Sequence, residues 1–551
     1  MSTVFRHLKA LNRTVLLASL AVTVGLVGLR FLGVLEPMEL DAYDRFIRLK
    51  PQEPVDDRVV VVGVDEVDIQ TRKEYPLHDG TLAMALEILE DYDPRAIGVD
   101  IARDVPQGPP EGRSALRSAV AGSDRIISGC LLSGFNHPGI PPAPGTPPDR
   151  VGFTDFPEDI GGVIRRSIMI SLPAPPPAVI DKHVCNDSSE DNEVLSLSLL
   201  LSLLYLDVEG IEPEQTEWGE LKLGDVIFMP LGFQSGGYAD TGAFDYQQML
   251  HYRGGTDAIA QVSLTDILEK RVDASQIKGK VVLIGYTSPI ANDYLITPYL
   301  AASEGVRAMP GVVVHAQMVS QILSAVLDQR PLISSFPELM EVLMIFGWAM
   351  GGRVLAYSLK KSSVSLLVLG LSLAGSWAIA LLLFMQIGLW LPVVPLTLSL
   401  VTTAVSVSLL RQANQLGYTQ AIYEQIRDQL QGNVAETQRQ SDYLERLVTR
   451  AKAIREGREG GASYEQSDMP RAPLPSVSGM GGSSFTPLAD HDFQSPEAQT
   501  QYDQIKAQVL QDLEQEQAVL ATKNSRKKAV QRRQHLNRLL DKAHTTRTQS
   551  K

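Results

Sequence analysis

Short β-branched apolar runs alternate with helix-spaced segments through the first 330 residues, and long apolar segments frame them. Val59–Glu66 (VVVVGVDE), Ala96–Ile101 (AIGVDI) and Val281–Gly285 are bounded by glycine or polar turn residues, which predicts buried strands. Ile126–Ile127 is a further strand candidate. Val312–Val314 repeats the pattern and predicts a strand, with a helix over His315–Leu323 after it. Helical spacing marks Asp41–Leu49 as a short amphipathic helix and Leu82–Leu89 as a second helix. Lys222–Leu231 and Met249–Arg253 read as strands. Strands feeding helices in this order predict an α/β layered module with parallel pairing. Val194–Leu206 is apolar almost all round. It is too short for the ~20 residues a span needs and is broken by serines, so a buried core helix is expected.

The longer apolar runs are Thr14–Leu35, Leu339–Tyr357, Val364–Met385 and Leu389–Leu410. The first lacks a clean small-residue cleavage site and reads as an uncleaved span rather than a signal peptide. Arg30 near its far end is expected to snorkel to the interface. Gly347 and Gly351 form a small-xxx-small pair suited to close helix contact. The turn around Gln386–Gly388 is short enough to force an antiparallel hairpin. This divides the chain into a basic N-terminus (1–13), a span (14–35), a module (36–336), three spans (339–357, 364–385, 389–410) and a tail.

Charge orients this layout. Arg6, Lys9 and Arg13, the Lys360–Lys361 pair and Arg411 fall on one side of the membrane if they obey the positive-inside rule. That side is the cytoplasm, and the module then faces out. The net charge of −14 argues against nucleic acid as a general partner, and acids outnumber bases roughly two to one in Glu36–Arg330. Cys130 and Cys185 have no metal-motif spacing; one disulfide is open to them in an oxidising compartment. No zinc pattern occurs, and no cofactor is assigned.

The tail has no globular pattern. Leu416, Tyr423, Leu430, Leu444 and Ala451 recur at multiples of seven, with Ile426, Leu447 and Ile454 at the companion spacing. A coiled coil over 411–459 is expected, its seam broken at Gly432, Asn433, Thr437 and Gln440. The Gly/Ser/Pro-rich stretch 460–498 reads as a disordered linker, and 499–551 as a charged helix with a basic end. That end suits anionic lipid, nucleic acid or plain solvent.

DAYDRFIRL, VVVVGVDE, AIGVDI, HYRGG (251–255), KGKVVLIGYTS, TPY and PGVVVHAQ occur in an order and spacing that resembles a bacterial sensor family. It is the second class of the cyclase/histidine-kinase-associated sensory extracellular (CHASE) domains. The resemblance covers roughly Leu40–Asp328, and one span before with three after matches the family's layout. It implies an extracytoplasmic α/β sensing module in a bacterial inner membrane, feeding a cytoplasmic output. Family members often end in a cyclase or kinase. This chain departs there, with no Gly-rich nucleotide loop, catalytic-loop pattern or paired metal-binding aspartates after Arg411.

Asp65, Glu66, Asp68 and Asp100 sit at the carboxyl ends of two predicted strands, where parallel sheets usually bind ligands. A cation or polar-ligand site and plain helix caps are the two readings. His315 is either a structural histidine opening a helix or a ligand. Arg253 is either an anion contact or an ion-pair partner of Asp65 or Asp100. His78 and Asp79 carry no signal. The expected function is a membrane-bound sensor without its own catalytic domain. It would be a homodimer in contact with lipid, with a small extracytoplasmic ligand and a cytoplasmic signalling partner. A membrane scaffold and an extracytoplasmic metal-dependent enzyme are the alternatives. Reporter fusions check the orientation: a periplasm-dependent reporter should be active within Glu36–Arg330 and silent at the C-terminus. An active C-terminal fusion would contradict the topology.

Overall fold

The computed structural model describes residues 2–178, 181–242, 245–299, 308–358, 362–415 and 446. The chain divides into two compact units, one built on Met1–Leu409 and one on Leu410–Val530. Of the second, only 410–415 and 446 are described, so the expected coiled coil, linker and basic end lie outside the described residues.

A six-stranded sheet organises the first unit. Its strands are β1 (Val59–Val64), β2 (Ala96–Asp100), β3 (Ile126–Cys130), β4 (Val151–Phe153), β5 (Ala260–Ser263) and β6 (Val281–Tyr286), in the order β5-β1-β6-β2-β3-β4. Every pair is parallel; Val281 of β6 lies opposite Val59 of β1 and Ala96 of β2. Alternation along each strand gives the sheet two apolar faces. Val60, Val62, Ile97, Val99, Val282 and Ile284 join one core, with helices α4 (Asp79–Asp91), α5 (Pro110–Gly122) and α7 (Leu264–Leu268). Val59, Val61, Ala96, Val281 and Leu283 join the other, with α6 (Leu197–Val208) and α8 (Gly311–Asp328). The short α3 (Glu66–Arg72) caps the end of β1.

The core-helix reading of Val194–Leu206 corresponds to α6, preceded by a two-residue strand, Val194–Leu195. Val312–Val314 is a correction. These residues are not a strand but the first turn of α8, whose residues Gly311–Ala325 are all buried. A helix apolar on every side has no periodic face, and its β-branched start imitates a strand. By length and hydropathy α8 also passes for a span, yet it lies inside the protein. Met249–Arg253 is the second correction: the strand is Tyr246–Met249. Beyond it the extended chain is stapled to α8 by two glutamines one turn apart. Gln321 accepts from the His251 amide (2.7 Å) and donates to the Met249 carbonyl (3.1 Å). Gln317 accepts from the Arg253 amide (3.0 Å) and donates to Gly254 (3.2 Å). Lys222–Leu231 is a hairpin, Leu221–Leu223 with Val226–Phe228, rather than one strand. Cys130 and Cys185 form a disulfide, a crosslink that persists in oxidising compartments.

Apolar helices α1 (Ser2–Phe31), α9 (Glu338–Ser358), α10 (Ser362–Ile387) and α11 (Val393–Gln415) lie where spans are expected. Helices α9 and α10 are long and apolar enough to cross a membrane, α1 only together with the helix that follows it, and α11 is a shorter apolar helix. The Leu389–Leu410 segment is corrected at its start: Leu389–Trp390 pairs in parallel with Ser334–Ser335, and the helix begins at Val393. After α1 the chain turns by 82° into α2 (Glu36–Leu49). Tyr43 and Phe46 of α2 pack on Phe384, Trp390 and Trp377 of the α10–α11 hairpin. The Tyr43 hydroxyl donates to the Leu250 carbonyl (2.8 Å), and Asp44 takes a bidentate pair from Arg165 (2.7 and 2.9 Å). Arg30 does not simply snorkel; it donates to Glu341 of α9 and to the Gly236 carbonyl.

The close helix contact lies one residue beyond the expected glycine pair. A Cβ at Gly352 would sit 2.3 Å from the Leu400 carbonyl oxygen, whereas one at Gly347 meets nothing within 4 Å and one at Gly351 makes ordinary contact. Backbone cannot retreat as a side-chain tip can, so overpacking there costs about 1–3 kcal/mol. Gly352→Leu should therefore lower the thermal midpoint of the detergent-solubilised protein by several degrees, while Gly347→Leu leaves it unchanged. Tryptophan fluorescence during heating reads this, and equal losses in both variants would contradict the packing.

Candidate functional site

The carboxyl edge of the sheet separates the expected site residues into caps and a crevice. Asp65 is the N-cap of α3, accepting from the Asp68 amide (2.8 Å), and Asp68 returns the bond to the Asp65 amide (3.0 Å). Asp68 also accepts from the Thr265 amide (3.0 Å) and hydroxyl, tying α3 to α7. Both acids thus serve as helix caps. Glu66 accepts from Ser288 (2.6 Å) and Gln70 (2.7 Å), bonds that hold its carboxyl below the usual range.

Asp100 and His315 do come together. The chain leaving β2 runs to α5 on one face, whereas the chain leaving β6 crosses to α8 on the other. Adjacent strands whose connections diverge open a crevice at their carboxyl ends. Asp100 enters it from the last residue of β2 and His315 from the first turns of α8, with Nε2 4.0 Å from Asp100 Oδ1. That is too long for a hydrogen bond. Asp293, in the loop after β6, sets its carboxylate against Gly311 at the start of α8, so close that a Cβ there would sit 2.7 Å from Oδ1. It interacts electrostatically with both Asp100 and His315. The sequence reading missed it, since a lone acid in a polar loop looks solvated; its one signal was its place after a parallel strand. The Ser198 hydroxyl of α6 lies 3.1 Å from His315 Nδ1 and donates to the His315 carbonyl (3.2 Å). The Phe156 ring packs on the imidazole at 4.4 Å.

Burial governs the charges here. It pushes the Asp100 carboxyl up to about 7 with no opposing cation. It raises Asp293 to about 6, with Asp100 adding to the shift. It lowers His315 to about 4 against the pull of Asp293 and the Thr154 backbone. The imidazole is neutral at pH 7, so no ion pair joins it to Asp100. Among the described residues, no three His, Cys, Asp or Glu side chains converge as metal ligands.

Arg253 is not part of this crevice. It lies at the amino edge of the sheet, paired with Asp56 (3.3 Å) rather than with Asp65 or Asp100, and donates to Ser320 (3.0 Å) and Ser324 (2.6 Å) of α8. Asp56 also takes a bidentate pair from Arg58 (2.7 and 3.0 Å) and the Ser320 hydroxyl (2.7 Å). Next to it Arg330 donates to Glu53 (2.9 Å) and to the His251 carbonyl (2.8 Å), and Lys50 pairs with Glu53. Lys50 reaches His251 Nε2 at 2.8 Å, and His251 Nδ1 meets the Pro331 carbonyl at 2.9 Å. Burial, Arg330 and Lys50 together push His251 down to about 3, so this ring stays neutral. The cluster clamps the segment leaving α2 to the segment that leads into α9.

The pH dependence of the crevice has a definite sign. A carboxyl raised in the native state binds its proton more tightly folded than unfolded. Stability is therefore lost as pH rises from about 4 towards the folded values of Asp100 and Asp293. His315 acts oppositely, but only from its unfolded value of about 6.5 downward. Between pH 6.5 and 8 Asp100 is the crevice's main contributor, lowering stability by up to about 1 kcal/mol per pH unit, beside a separate slope from Glu39, which burial raises to about 8. Asp100→Asn should remove the Asp100 part of the slope in chemical denaturation; an unchanged slope would contradict the assignment.

The family model for the CHASE2 domain matches residues 19–354. No curated protein and no solved structure matches the chain.

Proposed function

Since the chain belongs to the CHASE2 family, whose domains are extracellular sensory domains, we propose that it is a membrane receptor that passes an external stimulus to a cytoplasmic partner. The observation that carries this reading is the course of α8. Its first turns hold His315 in the crevice, and Ser320 and Ser324 hold the clamp at its far end. Nine residues of helix, about 14 Å, separate His315 from Ser324. A buried rod cannot shift at one end without moving its partners at the other. The clamp joins the exit of α2 to the entry of α9, so displacement there reaches α1 and α9 directly.

On this reading both termini are cytoplasmic and the spans lie in an inner membrane in contact with lipid. The output is carried by 411–551 acting through a recruited protein, without catalysis by this chain. Pairing through the bundle and Leu416–Ile454 makes the receptor a homodimer. A marginal seam at Gly432 and Asn433 would keep that pairing switchable. The Arg30–Glu341 pair supports the coupling, since it binds α1 to α9 where both leave the module.

Purification from solubilised membranes tests this. The full chain should retain a protein that a truncation ending at Arg411 loses. Ser324→Ala, which loosens the clamp without touching the tail, should change the amount retained. Equal retention by the truncation, or no effect of Ser324→Ala, would contradict transmission through α8.

A further inference from the structure

The buried acids of this protein are matched by cations or, as at Glu39 and Asp68, by backbone amides, and the crevice acids have neither among the described residues. Asp44 and Asp159 are matched by Arg165 and Arg166, Asp56 by Arg58 and Arg253, Glu53 by Arg330 and Lys50, and Asp79 by Arg113. Asp100 and Asp293 have no such match: among the described residues, neither forms an ion pair with an arginine or lysine. Their charged neighbours are each other and a neutral imidazole. Uncompensated carboxylates in a low-dielectric site are costly and usually find a partner.

His315 supplies a second observation. Its side chain is 1% exposed, and its Nε2 is buried without a hydrogen bond. The Ser198 hydroxyl lies 3.2 Å from the His315 carbonyl and 3.1 Å from Nδ1; with its hydrogen on the carbonyl, its oxygen accepts from Nδ1–H. That tautomer leaves Nε2 with a lone pair. The crevice then presents three acceptors, two of them carboxylates, and no donor. A group set between Nε2 and Asp100 Oδ1 would span the 4.0 Å gap with two ordinary hydrogen bonds.

We propose that the crevice between β2 and β6 binds a small ligand through a protonated primary amine, held by Asp100, Asp293 and the Nε2 lone pair of His315. The ammonium group supplies both the missing positive charge and three donors, one for each acceptor. The inference deepens the receptor reading by naming the chemistry of its stimulus. It rests on that reading only for the claim that binding matters to the cell.

The test uses the full chain in nanodiscs at pH 8 and follows the thermal midpoint. Methylammonium chloride is the probe, with manganese chloride and sodium chloride at matched ionic strength beside it. Methylammonium should raise the midpoint saturably by a few degrees. Asp293→Asn should abolish that rise. The variant should also melt higher than wild type without any probe, because an unmatched buried charge has been removed. Three results would overturn the proposal: no saturable response to methylammonium, the same response in Asp293→Asn, or a saturable response to manganese alone. A fall in the variant's own midpoint would do so as well, since it would mean that the carboxylates already have a countercharge. Failure here leaves the receptor reading to the retention experiment, which does not involve the crevice.

Discussion

Burial of α8 from Gly311 to Ala325 is the constraint on which the rest of the structure depends. A helix with no solvent face must satisfy every polar side chain within the protein. It carries His315, Gln317, Ser320, Gln321 and Ser324, all buried. The glutamines take the backbone of 249–255 in place of a strand partner, and the serines take Asp56, Arg58 and Arg253. The ring of His315 alone keeps an unpaired atom. The helix thus fixes both the clamp that joins the exit of α2 to the entry of α9 and the crevice at the opposite edge of the sheet.

The membrane junction is built on the same principle. Helix α2 is the piece that touches both parts: its Tyr43 and Asp44 bond into the sensory module, and its aromatic rings seat on Phe384 and Trp377 of α10 and on Trp390 of the turn before α11. Arg30 and Glu341 neutralise each other between α1 and α9. Removing one member of such a pair exposes the other to the full cost of an unpaired buried charge, so the junction resists piecemeal loosening.

Much of this was legible in the sequence where one physical period dominated. VVVVGV, AIGVD and VVLIGY are buried on both faces, so they read as parallel strands, and the spans read from length alone. Reading failed where tertiary partners replaced local ones. Val312–Val314 looked like a strand because a fully buried helix has no polar stripe, and Met249–Arg253 because glutamine side chains satisfy its extended backbone. At the site, Asp100 was visible as the end of a strand, whereas His315 was singled out because Val312–Val314, in fact the start of α8, read as a strand before it. Asp65 proved to be a cap, Arg253 lies at the other edge, and Asp293 becomes visible only when the crossover to α8 brings it beside Asp100.

The central claim is that crevice and clamp are two ends of one element. Hydrogen exchange on the full chain in nanodiscs, comparing wild type with Asp100→Asn, tests it most directly. The amides of Glu53 and Arg330, bonded to the Arg253 and Ser324 carbonyls, should change protection although neither touches the substituted residue. The amides of α7 (Leu264–Leu268), in the core on the opposite face of the sheet from α8, should not change. A change confined to the crevice, with the clamp amides unaltered, would contradict the account.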